Sequence, residues 1–235
     1  AMFIRGDEFI LIGTKQGNLH IVDSDSCFVI ASINAHVGEI SNIVFVKAEN
    51  EFYAVTASVD KLVNYFRLDI DKDFIDSIIA SEEGQVICKE EQANKNDEDQ
   101  ENIVRHVLTF ANSLNLSDQA TYMLISPNKK YLCVSLLDNS VRVLFSDSGK
   151  QLHSLYGHKL PVLNFDISSD NAMIVTGSSD KNVKIWGMDF GDLHKSLFAH
   201  HDAVTAVKFV NKTHYFFSAS KDGMIKYWDA DAVSF

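Results

Sequence analysis

A nine-residue phrase that returns at a near-constant interval limits the folds open to this chain more than any bulk property does. "SVDKLVNYF", "LLDNSVRVL", "SSDKNVKIW" and "SKDGMIKYW" align on Asp60, Asp138, Asp180 and Asp222, and "TKQGNLHIV" is a weaker fifth copy with Gln16 in the aspartate position. Six residues after each lies a bulky apolar side chain: Val22, Phe66, Leu144, Trp186 and Trp228. The intervals are 44, 78, 42 and 42 residues, so the long one is a single period with 36 residues added.

A period of about 40–45 residues carrying four short strands is the mark of a WD-repeat β-propeller blade. The local pattern agrees. "NVKIW" and "MIKYW" alternate polar and apolar residues as strands do, and "SSDKN" and "SKDG" hold the Asp, Asn and Gly that tight turns tolerate. The sequence therefore predicts an all-β chain. It reads as a partial WD-repeat β-propeller of about four and a half blades, each a four-stranded antiparallel sheet, in one domain over residues 1–235. There is no room for a first strand before Phe9, and the last unit stops after "MIKYWDADAVSF" without a fourth strand. An incomplete ring exposes strand edges and an apolar blade face, so the fragment is expected to self-associate or to be covered by another chain.

Charge locates the added residues. Twelve carboxylates and three lysines fall between Asp69 and Asn102, which is −9 of the chain's net charge of −11. The polar "KEEQANKNDEDQEN" tract cannot support a core, so 69–102 reads as an acidic insertion after the third strand of blade two. "DFIDSIIA" and "GQVICK" within it are apolar enough for a short helix or strand. No apolar run approaches membrane-spanning length, and "AMFIRGDEF" lacks the pattern of a signal peptide. Cys27, Cys88 and Cys133 are far apart without a CxxC pair, which suits a reducing compartment and offers no zinc site.

Three units add a histidine and a serine to the aspartate: His36, Ser58 and Asp60; His158, Ser178 and Asp180; His200, Ser220 and Asp222. One such set would suggest a hydrolase triad. Three at nearly fixed spacing suggest a brace repeated in each blade, because catalysis needs one site. The expected network is buried, with Asp accepting from His, His accepting from Ser, and Trp186 or Trp228 capping it. The third unit has Leu136 for the serine and no histidine, and the first has no aspartate, so those blades are expected to rely on packing alone. No enzyme activity and no cofactor are expected.

Rival motifs fail on their own terms. "DIDKDFIDSIIASEE" begins like a calcium loop at Asp69, Asp71 and Asp73, but Phe74 stands where glycine is needed and Ala80 where glutamate is needed. His201 in "HHD" has no partner in sequence for a metal. "GTKQGN" precedes no helix and cradles no phosphate. From Lys150 onward nine lysines meet nine carboxylates, so no basic face for nucleic acid is visible.

The words outside the shared repeat are more specific. "SLYGHKLPV" (Ser154–Val162), "DKNVKIWGMDFGDLHKSLFAHHDAV" (Asp180–Val204), "VSLLDNSVRV" and "FFSASKDGMIKYWDAD" closely resemble one family of small-subunit-processome WD-repeat proteins. It is called the U3 small nucleolar RNA-associated protein twelve, or WD-repeat-containing protein three, family. The likeness is specific from about Lys129 to Asp229, and "LIGTKQGNLHIVD" also fits. The resemblance implies a nucleolar, non-catalytic scaffold of tandem propellers and a C-terminal helical domain, the latter without a counterpart in this chain. It implies membership of the UTP-B subcomplex, work in early pre-ribosomal RNA processing, WD-repeat processome proteins as partners, and U3 snoRNP and pre-rRNA contacts that can be indirect. The alternative is a WD-repeat adaptor of another complex, in ubiquitin ligation or trafficking. "GMDFGDLHK" (Gly187–Lys195) reads as a rim loop joining the third and fourth strands of blade four, too individual for a generic hairpin. Either Phe190 tucks back onto its blade, or Phe190 anchors a partner with Asp192 and Lys195 as polar flanks.

Overall fold

The computed structural model describes residues 1–4, 8–48, 51–69 and 107–232. These form five antiparallel sheets and no helical layer. Sheet one is β1 (Met2–Ile4), β2 (Phe9–Gly13), β3 (Asn18–Asp23) and β4 (Val29–Asn34). Sheet two is β5 (Ile40–Ala48), β6 (Glu51–Ser58), β7 (Leu62–Leu68) and β8 (Leu108–Asn115). Sheet three is β9 (Ala120–Ile125), β10 (Tyr131–Leu136), β11 (Val141–Phe145) and β12 (Gln151–Leu155). Sheet four is β13 (Val162–Ile167), β14 (Met173–Ser178), β15 (Val183–Gly187) and β16 (Leu193–Leu197). Sheet five has three strands, β17 (Val204–Phe209), β18 (Tyr215–Ser220) and β19 (Ile225–Asp229). This is a partial WD-repeat propeller, with one correction to the sequence reading. A first strand does fit before Phe9, because three residues suffice to pair Met2↔Leu11 through Ile4↔Phe9 and to bury Ile4.

The chain divides into two compact units, 1–115 and 116–235. In the first, Phe9, Leu11, Leu19 and Ile21 of sheet one share a core with Ala54, Phe66 and Leu108 of sheet two. β7 and β8 pair from Leu62↔Asn115 to Leu68↔Leu108, and the Asp69 amide donates to the Val107 carbonyl at 3.1 Å. The acidic tract expected at 69–102, with its short helix or strand, lies outside the described residues apart from Asp69.

In the second unit, burial follows how many faces of a sheet are covered. β14 and β15 are buried along nearly their whole length, so "MIVTGS" shows no alternation of buried and exposed positions. β18 alternates instead: Phe216 and Ser218 point inward while Tyr215 and Phe217 stay exposed, the period-two pattern of a strand with one open face. On that face Tyr227 stacks on Tyr215 at 5.3 Å and lies 4.9 Å from Phe217. The matching positions of sheet four, Val175 and Ile185, are covered by Val204 and Val207 of sheet five's first strand.

The repeat also dictates backbone at one point. The residue after each aspartate position, Gly17, Lys61, Asn139, Lys181 and Gly223, has φ between 69° and 90° in every sheet. A side chain there costs about 1–2 kcal/mol, against about 0.5–1 kcal/mol of extra chain entropy for glycine. Lys181→Gly is therefore expected to stabilise the protein by about 0.5 kcal/mol, read as a higher urea midpoint at unchanged slope. A lower midpoint would show that the lysine side chain contributes something the turn geometry does not reveal.

Candidate functional site

Each expected histidine sits in the segment that leads from one sheet to the next and points into the sheet it enters. His36 Nδ1 meets Asp60 Oδ2 at 2.9 Å, His158 Nδ1 meets Asp180 Oδ2 at 2.9 Å, and His200 Nδ1 meets Asp222 Oδ2 at 3.0 Å. The same carboxylates accept the amide that follows each histidine, from Val37, Lys159 and His201, at 2.9–3.1 Å. They also accept the amide two residues on, from Leu62, Asn182 and Met224. Each aspartate thus joins a linking segment to the turn between the second and third strands of the next sheet. A carboxylate on Nδ1 places the ring proton there and leaves Nε2 to accept.

The hydroxyl that meets Nε2 is not the expected serine. Thr56, Thr176 and Ser218 fill that place, each at 2.8 Å. They lie two residues before Ser58, Ser178 and Ser220, on the same face of the strand. The three serines close the turn instead: each donates to the carbonyl of Gly38, Leu160 or Asp202 and accepts the amide of Asp60, Asp180 or Asp222. The polar residue inside "AVTAS", "IVTGS" and "FFSAS" was the available signal. Trp186 and Trp228 donate Nε1–H to Thr176 and Ser218 at 2.9 and 2.8 Å. Around His36 the place of tryptophan is taken by Phe66, and Asn64 Nδ2 donates to the Ala35 carbonyl at 2.7 Å.

Burial pushes the three carboxyls up, but the amides and the imidazole around each outweigh it. Asp60, Asp180 and Asp222 are all held below the usual carboxylate range. The order hydroxyl, imidazole, carboxylate is that of a hydrolase triad. Yet Thr56 and Thr176 have no exposed surface and Ser218 has 1%, so no substrate carbonyl reaches these oxygens. Their chemistry here is a brace.

Sheets one and three do not rely on packing alone. In sheet one Thr14 Oγ1 takes the Asn18 amide at 3.0 Å, the role the aspartate plays elsewhere. In sheet three Arg142 stands in for the histidine. It binds Asp138 (3.4 Å), Ser117 (3.3 Å) and Ser154, and lies 5.2 Å over the Tyr156 ring. Val134 and Leu136 leave this strand without hydroxyls at the two brace positions, while a cation at the position of Arg142 is shared with sheet four, where Lys184 donates to Ser196 at 2.7 Å.

"GMDFGD" proves to be a repeated turn rather than an individual loop. Asp23–Phe28, Phe145–Lys150 and Gly187–Asp192 share the same two backbone bonds, from the first amide to the last carbonyl and from the fifth amide to the first carbonyl. Cys27, Gly149 and Gly191 supply the same positive φ. Phe190 does not tuck back: it is 84% exposed. Asp192 is also exposed and faces His194 at 3.3 Å. Lys195 is withdrawn from the expected set, since its amine donates to the carbonyls of Ala230 and Asp231 at 3.0 and 3.3 Å. Cys133 is buried, which pushes its thiol up to about 12.

A second histidine cluster was not anticipated. His214 Nε2 lies 2.9 Å from Asp170, and Nδ1 lies 2.8 Å from Asp231. Hydrogen bonds to Asp170 and Asp231 raise the His214 pKa, while Asp170 falls to about 2, its burial outweighed by Ser168, Ala172 and His214. Both ring nitrogens can donate only as imidazolium. The contribution of His214 is complete below its unfolded pKa of about 6.5 and is lost as pH rises through the higher folded value. NMR titration is expected to place His214 above 6.5, and His214→Gln to flatten the fall in stability as pH rises above about 6.5. A midpoint at or below 6.5 would refute the clamp. His201, the other histidine of interest, lies edge-on to Phe198 at 6.4 Å.

Comparison with known proteins places this geometry among relatives. The family model described as the WDR3 second beta-propeller domain matches residues 1–235. The chain is 42% identical over 162 residues to mouse WD repeat-containing protein 3, covering 69% of the chain and 14% of the relative. It is 40% identical over 165 residues to U3 small nucleolar RNA-associated protein 12 of Saccharomyces cerevisiae, covering 70% of the chain and 15% of the relative. It therefore spans about one seventh of the length of these curated relatives. Among solved structures, the computationally designed Ika8 protein superposes with a TM-score of 0.68 at 19% identity, over 97% of this chain and 57% of that one. At that identity the likeness speaks for the fold alone.

Proposed function

The chain belongs to the WDR3 second beta-propeller family of WD-repeat proteins, and on that footing we propose that it is a non-catalytic scaffold element of the small-subunit processome. The observation that carries the reading is the family match along residues 1–235, together with about 40% identity to a yeast relative named for its association with U3 small nucleolar RNA. The braces support it. They fix the linking segments into sheets two, four and five to the turns those sheets carry, and leave the other turns, such as Gly187–Asp192, free to differ in their side chains, which is what a binding scaffold requires. In this reading the parent protein resides in the nucleolus and assembles with other WD-repeat proteins of the UTP-B subcomplex. It serves pre-rRNA processing toward the small ribosomal subunit, with U3 snoRNP and pre-rRNA reached through the assembly.

Affinity purification of the full-length protein carrying this chain tests the reading. Processome WD-repeat proteins and U3 RNA are expected to co-purify, and a fluorescent fusion to concentrate in nucleoli. Recovery of a ubiquitin ligase or a coat complex in their place would favour the adaptor alternative.

A further inference from the structure

We infer that Phe190 is an anchor received by a partner protein in an apolar pocket edged by lysine or arginine. This rests on the scaffold reading above and names the kind of surface that one of its contacts presents.

The repeated turn supplies the control. In its other two copies the position of Phe190 is held by Ser26 and Ser148, and the backbone bonds are the same. The Ser26 hydroxyl is used inside its own turn, where it bonds Asp23. Phe190 is 84% exposed. The turn therefore closes with a serine at this point, and folding makes no use of the aromatic ring.

The rest of the turn is held firmly. Met188 beside it is buried in the core of sheets three and four. His153 of β12 donates Nε2–H to the Asp189 carbonyl at 2.8 Å. Gly191 lies so close that a Cβ would sit 3.1 Å from the His153 side chain. A ring on a pre-formed turn binds without the ordering cost of a flexible loop, and aromatic side chains are enriched at interface centres.

Charge selects the partner. Asp189 and Asp192 flank the ring, both exposed, and the turn from Gly187 to Asp192 carries no cation. Nucleic-acid phosphates would be repelled, whereas a protein pocket with lysine or arginine at its edge complements the two carboxylates.

The test uses the full-length protein in its native assembly. With p-benzoylphenylalanine in place of Phe190, irradiation is expected to join this position to a protein, at a pocket lined by apolar residues and edged by Lys or Arg. Phe190→Ser, which restores the residue of the sister turns, is expected to weaken that partner at least about tenfold while the melting temperature and the other partners are retained. Asp189→Lys with Asp192→Lys should weaken the same partner. A crosslink only to RNA, no protein crosslink, or wild-type affinity in Phe190→Ser overturns the inference. The two readings fail separately. If processome proteins do not co-purify but the crosslink finds such a pocket elsewhere, the processome reading fails and the anchor stands. If processome recovery is normal and position 190 crosslinks to nothing, the anchor fails alone.

Discussion

Replacing Asp180 by alanine is expected to cost about 3 kcal/mol of stability, because it breaks a buried pair and leaves the partners in place. The carboxylate accepts His158 Nδ1–H at 2.9 Å and the amides of Lys159 and Asn182 at 2.9 and 3.0 Å. His158 and Asp180 side chains are 2% and 5% exposed, so water cannot take over these bonds. The loss should appear as a lower urea midpoint at unchanged slope. It should also depend on pH. Asp180 is held below its ordinary value, so its contribution is present above the unfolded carboxylate pKa of about 3.9 and is lost as pH falls toward the folded value. The difference between wild type and Asp180→Ala should therefore narrow as pH drops from 5 toward 3. A gap that stays constant would mean that the carboxylate's charge is not the source of the effect.

Trp186→Ala is the second large effect, at about 3–5 kcal/mol. The ring is 2% exposed, in a core with Phe165, Ile174 and Val143, and it lies under the linking segment at Gly157. There a Cβ would come within 3.2 Å of Cη2 at a φ of +155°. Glycine at that point lets the chain pass over the indole. Trp228 makes the same hydrogen bond to Ser218 but is only partly buried, so Trp228→Ala should cost at least about 1 kcal/mol less. Trp186→Phe divides the effect: most of the packing stays and only the donor to Thr176 is lost, for about 1 kcal/mol. Equal losses for the two tryptophan truncations would show that burial does not govern the difference.

The legible part of this protein is local and repeated. Aspartates at a constant interval name the turns, because an Asp side chain bonds the amide two residues on whatever surrounds it; the structure shows this at Asp60, Asp138, Asp180 and Asp222. The histidines paired with three of those aspartates were equally readable from their spacing. Each copy of the pattern repeats the same short-range physics, so five sheets followed from the sequence.

What the sequence left open depends on distance across strands and between sheets. Thr176 and Ser178 lie on one face of β14, about 6.6 Å apart, and only the packed position of the linking segment decides which hydroxyl sits beneath His158. Arg142 takes over in sheet three because it meets Asp138 of the adjoining turn, its cross-strand neighbour Ser154 and Ser117 of the segment before β9, of which only Asp138 is near it in sequence. β1 forms because the edge of β2 is available to three residues. The individuality of "GMDFGD" looked like a property of the whole loop. Its backbone bonds are those of two dissimilar sequences, and what sets it apart is its side chains, Met188 turned into the core and Phe190 left exposed. Sequence by itself determined the repeat, its turns and the His–Asp pairs, since local hydrogen bonding and period-two burial write themselves along the chain. Tertiary structure alone decided which hydroxyls complete the braces and which of the two readings of Phe190 holds, because those outcomes belong to contacts between segments far apart in sequence.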